Sequence, residues 1–550
     1  MKNLHKFLFS GAFLAALCAT PGCKSVLDEK PYDFYAPENL YKTSEDAEAA
    51  ITGVYSEFTD IGNYDYFVKP YWEWLSEDED HVAGASFALG GVGAGNYQGD
   101  YKTERMYKAP YVTILRANSV LERVPAIVMD EVVKKRILGE ARFLRAWAYF
   151  NLVRLFGPVP LRTEVLKSAT DTNIPRASIA DVYQLIISDL TQAETDVPYQ
   201  GETGAPVIGR ANKGAVQALL TKVYLTMGSG SLVGSLTVQG GTDNGFYTYS
   251  KDVVKGYDGF NSRNYYTLAR DEAAKLIASS KYSLFSNYMD LWQKANDNKI
   301  EHIFMVQTLP GSATHGMYLS SFFTAPSLGG RGYLYMDDNF YHSFQRRLDT
   351  RILDGVTHVW FENNAANPNY QFYPREDSVI YSVIPGSTRL ASFNNKAQIK
   401  KYLYPGKPLP PSNGESLDAT NYPLLRYADV LLMFAEAENE VNPASQAARD
   451  ALNQVRRRSN ATAPAAFFDL SAKNQLQLRS EIFGERGREL HFEANRRFDL
   501  IRWGVYLQAM NKIGTSAQSV NKSRDPKTLL LPLPVNEIAS SPAITQNPGY

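Results

Sequence analysis

Cysteine is nearly absent from this chain: 550 residues contain two, Cys18 and Cys23. Both fall in the opening stretch, where Lys2, His5 and Lys6 precede an apolar run over residues 7–19, followed by Thr20-Pro21-Gly22-Cys23. That run is about a dozen residues, short of the roughly 20 that a helix needs to cross a bilayer, so it reads as the core of a secretory signal. Gly22 supplies the small residue that bacterial lipoprotein processing needs before a cysteine. The expectation is a signal peptide over 1–22 and a mature chain that begins at a lipidated Cys23; the alternative is an ordinary signal that happens to contain a cysteine. If Cys18 leaves with the signal and Cys23 carries lipid, no thiol remains for a disulfide or a thiolate metal site. Stability then rests on packing, and membrane attachment on acyl chains, each buried methylene of which contributes about 0.8 kcal/mol.

Charge of one sign is also missing. Lys plus Arg is 57 and Asp plus Glu is 58, which leaves no surplus to draw the chain to nucleic acid or to an anionic membrane. The seven histidines are scattered with no two at helical ligand spacing, which argues against a zinc site. No Gly-x-Ser-x-Gly elbow occurs. The run Gly90-Gly91-Val92-Gly93-Ala94-Gly95-Asn96 lacks the third glycine of a dinucleotide fingerprint and reads as a loop. Gly406-Lys407 lacks the earlier glycine of a Walker motif. The densest acidic run, Glu77-Asp78-Glu79-Asp80-His81, fits neither a calcium loop, for want of its central glycine, nor a fixed pair of glycosidase carboxylates. It reads as a solvated loop, the rim of a ligand site, or a place where a structural calcium ion could bind; no other cofactor is expected.

Aromatic residues are plentiful, with 35 tyrosines and 27 phenylalanines against six tryptophans. Tyrosine combines a flat apolar face with a polar rim, suited to half-exposed packing and to stacking on sugar rings. Helical periodicity is clear in residues 178–187, which Ser178 and Asp181 open as a capping box, and again over 212–227; together these predict a helical hairpin. The design returns over 427–440 and 445–458, interrupted by Asn442-Pro443. Each hairpin needs neighbours to cover its apolar stripe, the logic of a helical repeat, with a non-repetitive bundle as the alternative. Residues 60–98, 228–264, 311–339 and 363–421 show little periodicity but are rich in aromatics, as at Trp72 and Trp74, which predicts loops folded onto the helices. Residues 485–503 predict one helix crowded with alternating charge, a lattice of ion pairs rather than a catalytic centre, since no nucleophile or histidine base accompanies it.

Four blocks in order resemble one family, the SusD-like (RagB/SusD) nutrient-binding lipoproteins of the Bacteroidetes outer membrane. They are residues 144–160 (LRAWAYFNLVRLFGPVP), 422–432 (YPLLRYADVLL), the charged segment 485–503, and the tail Gln546-Asn547-Pro548-Gly549-Tyr550. Asp28-Glu29-Lys30-Pro31 and a first helix over 43–55 also look like the family's amino end. The resemblance implies a mainly α fold, a tetratricopeptide-like scaffold of about four helical pairs with an irregular, loop-rich ligand-binding subdomain. It divides the chain into a helical-repeat part, 23–300, containing a ligand loop at 60–101; a loop-rich insertion, 301–421; and carboxy-terminal helical pairs and tail, 422–550. It implies no enzymatic activity, an oligosaccharide ligand, a place on the outside of the outer membrane, and a SusC-like TonB-dependent transporter as partner. Ligand groups in the family precede the helix that falls here at 107–123, and precede the pattern at 344–351. That nominates Asp80, His81, Asn96, Tyr97 and Tyr101 in the first region and Arg331, Tyr333 and Tyr335 in the second. This chain carries tyrosine where the family often sets tryptophan. A peptide receptor on the same scaffold and a glycoside hydrolase using Asp78 and Asp80 are the competing readings.

Overall fold

Local sequence signals set most helix ends. A computed structural model of the protein describes residues 40–58, 80–82, 93, 95–99, 101–166, 173–241, 243–309, 334–345, 347–362, 369–384, 390–403, 421–460, 468–515 and 521–550. Helix α1, Ser44–Tyr55, begins at Thr43, whose side chain accepts from the Asp46 amide while the Asp46 carboxylate accepts from the Thr43 amide. Then come α2, Tyr101–Arg123, α3, Glu131–Phe156, α4, Ile179–Asp196, α5, Lys213–Gly230, and α6, Ser262–Ala278. After a long excursion follow α7, Tyr427–Val441, and α8, Gln446–Arg458, with Ser445 as its cap, then α9, Gln475–Glu489. Shorter helices α10, Arg496–Arg502, and α11, Tyr506–Ile513, continue toward the carboxy end.

These helices pack as four pairs, α1 with α2, α3 with α4, α5 with α6, and α7 with α8, and α7 also lies along α6 to continue the stack. The expected mainly helical scaffold of about four pairs is therefore present. The pairing differs from the sequence reading in one respect: α4 and α5 touch, but they belong to successive pairs rather than to one hairpin. The reason lies in α3, which is buried around most of its circumference. Its Arg145 forks onto the Asp189 carboxylate of α4 through two bonds of 2.8 and 2.7 Å, fixing α4 as its partner.

Strands are short. Those that position the site are β1, Asp80–Val82; β2, Gly234–Gly240, and β3, Gly245–Lys251; β4, His302–Val306; β5, Leu334–Met336; and β6, Tyr422–Arg426. The stretch 228–264, expected to be a loop, contains the β2–β3 hairpin. One face of that hairpin, Leu236 and Val238, packs with Phe483 and Trp503 in a small core of its own. Strand β4 pairs antiparallel with β6, so the chain leaves the helical scaffold after Val306 and re-enters it at Tyr422. The charged segment also departs from expectation: it forms two helices, because Phe492 and Ala494 adopt φ of 55° and 51° and turn the chain between α9 and α10.

Candidate functional site

The excursion between β4 and β6 is held to the helices by buried charge. Arg426, at the end of β6, is 1 % exposed. It donates to Glu493 (2.8 and 3.0 Å), to the Glu489 carboxylate (2.6 Å) and carbonyl (2.6 Å), and to Glu301 (2.9 Å). Arg351, within the excursion, is clamped by Asp349 at 2.7 Å, Glu485 at 2.6 Å and Glu489 at 3.0 Å. Lys401, also within it, meets Glu493 at 2.6 Å. Arg458 of α8 closes the array onto Glu301 and Glu489. Burial alone would raise the Glu493 carboxyl, but Arg426 and Lys401 outweigh it and hold its pKa at about 2. Burial pushes the Lys401 ammonium down to about 8 against the pull of Glu493. Opposite charges at these distances neutralise one another, so the lattice reads as a brace. The bonds foreseen within a single helix are realised only in part: Arg488 reaches Glu485 at 2.8 Å, whereas Glu489 turns to Arg351, Arg426 and Arg458.

On this frame the two nominated regions meet. Strand β1 pairs antiparallel with β5, setting Asp80 opposite Met336, His81 opposite Tyr335, and Val82 opposite Leu334. More than 250 positions apart in sequence, these segments become adjacent strands. On the other side of β5 the Met336 amide donates to the Ala397 carbonyl at 2.9 Å, drawing in residues near 397. Asp337 then caps the short helix Asp338–Tyr341 by accepting from the Asn339 amide.

The nominated residues occupy different environments. Asp80 and His81 are placed by backbone in β1, and Tyr101 opens α2. Asn96 is exposed. Tyr97 is 1 % exposed, with its ring under the Arg497 guanidinium and its carbonyl accepting from Thr103 at 3.1 Å. Tyr335 is 2 % exposed between buried Leu334 and Met336, with the Lys396 ammonium 5.4 Å from its ring centroid. In this conformation neither tyrosine offers an open face for stacking, because protein covers both rings; each supports the backbone beside it. Arg331, Tyr333, Cys23, Trp72, Trp74 and the acidic residues 77–79 lie outside the described residues. Among the described residues no cluster of three or more His, Cys, Asp or Glu is arranged to hold a metal, and no helix is long and apolar enough to cross a membrane.

One concave feature was not anticipated. A cleft of about 600 Å³ lies between the β2–β3 hairpin, one side of α9 along most of its length and the chain around Asn339. Its sequence signal was present: Asn-Gly between alternating runs points to a hairpin, and here Asn244 takes φ of 54° immediately before Gly245 opens β3.

Residues 209–550 match the SusD family, and residues 27–225 match a second family, described as starch-binding and associating with the outer membrane. A relative named SusD-like protein P2, from Formosa agariphila, is 27 % identical, and the match covers 98 % of this chain and 99 % of that one. The starch-binding protein SusD of Bacteroides thetaiotaomicron is 24 % identical, with 82 % of this chain and 79 % of that one covered. The solved structure of a laminarin-binding SusD-like protein superposes with a TM-score of 0.67 at 23 % identity, covering 93 % of this chain and all, 100 %, of the other.

Proposed function

We propose, since this chain belongs to the SusD family over residues 209–550, that it is a cell-surface lipoprotein which captures oligosaccharide and delivers it to a SusC-like TonB-dependent transporter. The family is one of binding proteins, so capture proceeds without bond cleavage. The names of two similar proteins, one starch-binding and one laminarin-binding, support a glycan as the ligand class. The observation that carries the reading is the pairing of β1 with β5, which sets the segment ending in Asp80 and His81 beside the one that follows Arg331 and Tyr333. In this proposal those four residues, with Asn96 and Tyr101, line the ligand surface, while Tyr97 and Tyr335 hold it from beneath. Residues 301–421 act as the ligand-bearing unit, braced at its neck by the Arg426 lattice. Lipid on Cys23 tethers the chain to the outer face of the membrane. A surface of rings and edge polar groups binds sugar by stacking and hydrogen bonding, at affinities of about micromolar to millimolar, which leaves release to a transporter fast.

Calorimetric titration of the chain lacking residues 1–23 with plant and host oligosaccharides, and with peptides as a second panel, tests the reading. Saturable binding to one glycan class that weakens at least about tenfold in Tyr333→Ala, about 1.4 kcal/mol, is expected. Heat from peptides alone would replace the glycan with a peptide ligand.

A further inference from the structure

The β2–β3 hairpin shows its outer face to the cleft described above. On its inner face Leu236 and Val238 are 1 % and 4 % exposed. On its outer face Thr237 and Thr248 pair across the strands, hydroxyl to hydroxyl at 2.8 Å, and Gln239 stands opposite Phe246. Phe246 is 74 % exposed. A phenyl ring held open at the mouth of a cavity, bordered by hydroxyls and an amide, has the composition of a sugar-stacking surface. The face is also rigid. The Thr237 amide donates to Ser480 Oγ at 3.2 Å, and Arg479 donates to the Ser235 carbonyl at 2.9 Å, both bonds reaching from hairpin to α9. Preorganised surfaces of this kind lose little conformational freedom on binding.

The charge of the cleft narrows the ligand. Five Lys or Arg side chains line it against three carboxylates, and the volume of about 600 Å³ fits a short oligosaccharide. Glu485 and three of these cations are committed to one another, Arg351 at 2.6 Å, Arg488 at 2.8 Å and Arg456 at 3.4 Å, and Arg351 also holds Asp349 and Glu489, so the charge that can meet a ligand is carried by Lys473. Lys473, just before the cap of α9, has no ion-pair partner among the described residues and stands beside the amide end of that helix. A carboxylate at this point meets a cation and the positive end of a dipole.

We propose that the cleft between the hairpin and α9 is a second binding site, separate from the β1–β5 surface, for an acidic oligosaccharide whose ring stacks on Phe246 and whose carboxylate pairs with Lys473. It serves as an additional hold on a uronic-acid-bearing chain and does not depend on what the first surface binds.

The test uses the mature chain and three probes: tetragalacturonate, maltotetraose as a neutral control, and glutamate-rich peptide as a non-sugar polyanion. Phe246→Trp places a reporter in the cleft, and calorimetry on Phe246→Ala, Lys473→Glu and Tyr333→Ala separates the two sites. Saturable fluorescence change with tetragalacturonate is expected, weakened at least about tenfold in Lys473→Glu and by raised salt, and unaltered in Tyr333→Ala. Phe246 is solvent-facing, so its variants should melt within a degree or two of the parent, and a loss of binding will report the cleft alone. Three outcomes overturn the proposal: no fluorescence response up to about 10 mM tetragalacturonate, a response equalled by the acidic peptide, or binding lost only in Tyr333→Ala. The last would leave the first surface intact as a glycan site, whereas failure of Tyr333→Ala to affect any ligand would sink that reading and leave this one standing.

Discussion

Replacing Arg426 by methionine should be among the most damaging single changes in this protein, and the damage should depend on pH. The side chain makes five hydrogen bonds to three glutamates and a carbonyl at 1 % exposure. Its removal leaves Glu493 to Lys401, and Glu489 to Arg351 and Arg458, so the buried array carries one uncompensated negative charge more. Breaking a buried pair from one side costs about 3–5 kcal/mol. An independent route gives a similar figure: Glu493 is lowered from 4.5 to about 2, and such a shift is worth about 3 kcal/mol, of which Arg426 supplies the leading attractive part. Because its folded pKa is depressed, the contribution of Glu493 is present above pH 4.5 and fades as pH falls from there toward 2. In the variant the carboxyl moves back up and takes a proton sooner. The gap between parent and variant is therefore widest near neutrality and narrows in acid. Urea unfolding at about pH 7.5 and about pH 4, followed by tyrosine fluorescence, measures it, with Arg457→Met as control. Arg457 is partly exposed beside Asp469 and should cost under about 1 kcal/mol. An Arg426→Met penalty as small as that control, or one unchanged between the two pH values, refutes the brace.

Glu272 offers a test with the opposite sign. Burial raises its carboxyl to about 7, Lys275 working against the rise and nearby Glu194 adding to it. A raised folded pKa gives stability that is present below 4.5 and lost as pH climbs through 7. Glu272→Gln should therefore stabilise at pH 8, by up to about 3 kcal/mol, and by little at pH 4.5, as read by thermal melts at the two values. Tyr335→Ala, by contrast with Tyr333→Ala, should lower stability by about 3 kcal/mol at any pH, measured by urea unfolding, because it empties a buried site in β5, the strand that pairs with β1. Gly157 ends α3 at φ of 72°, and an added Cβ would meet Leu530 Cδ1 at 2.9 Å. Gly157→Ala should cost about 1–3 kcal/mol by the same assay, and a neutral result would refute the strain.

The helical scaffold was legible because it is written in local signals. Asn212 caps α5 through bonds to the Gly214 and Ala215 amides, and Ser445 caps α8; both ends could be placed from residue type and spacing. Which helix pairs with which was not legible, since that depends on contacts such as Arg145 with Asp189, 44 positions apart. The split of the charged segment into α9 and α10 escaped for a similar reason. Phe492 and Ala494 carry no preference for positive φ, and they adopt it because the turn lets Glu493 meet Arg426 and Lys401. The β2–β3 hairpin was missed although Asn244-Gly245 announced it, its alternation being partly masked by the glycines around it. For the nominated ligand residues, the resemblance supplied the segments, but sequence could not tell a ring facing solvent from one facing the core. Tyr97 and Tyr335 are of the second kind.

The lattice also bears on why a capture protein would spend so many charges inside its fold. Replacing buried ion pairs by apolar groups often leaves stability unchanged or improves it, so stability alone does not account for this array. What it provides is directional. Arg351 and Lys401 reach from the excursion to fixed carboxylates on α9 and in the turn after it, while Arg426 and Glu301 stand at the base of the excursion's two neck strands. An apolar contact tolerates sliding, whereas forked bonds between a guanidinium and a carboxylate fix register and angle. For a binding protein that performs no chemistry, affinity depends on how little is left to order when ligand arrives. A braced excursion holds β5 in place and β5 holds β1, so the two strands on which the proposed ligand surface rests stand side by side before any ligand arrives.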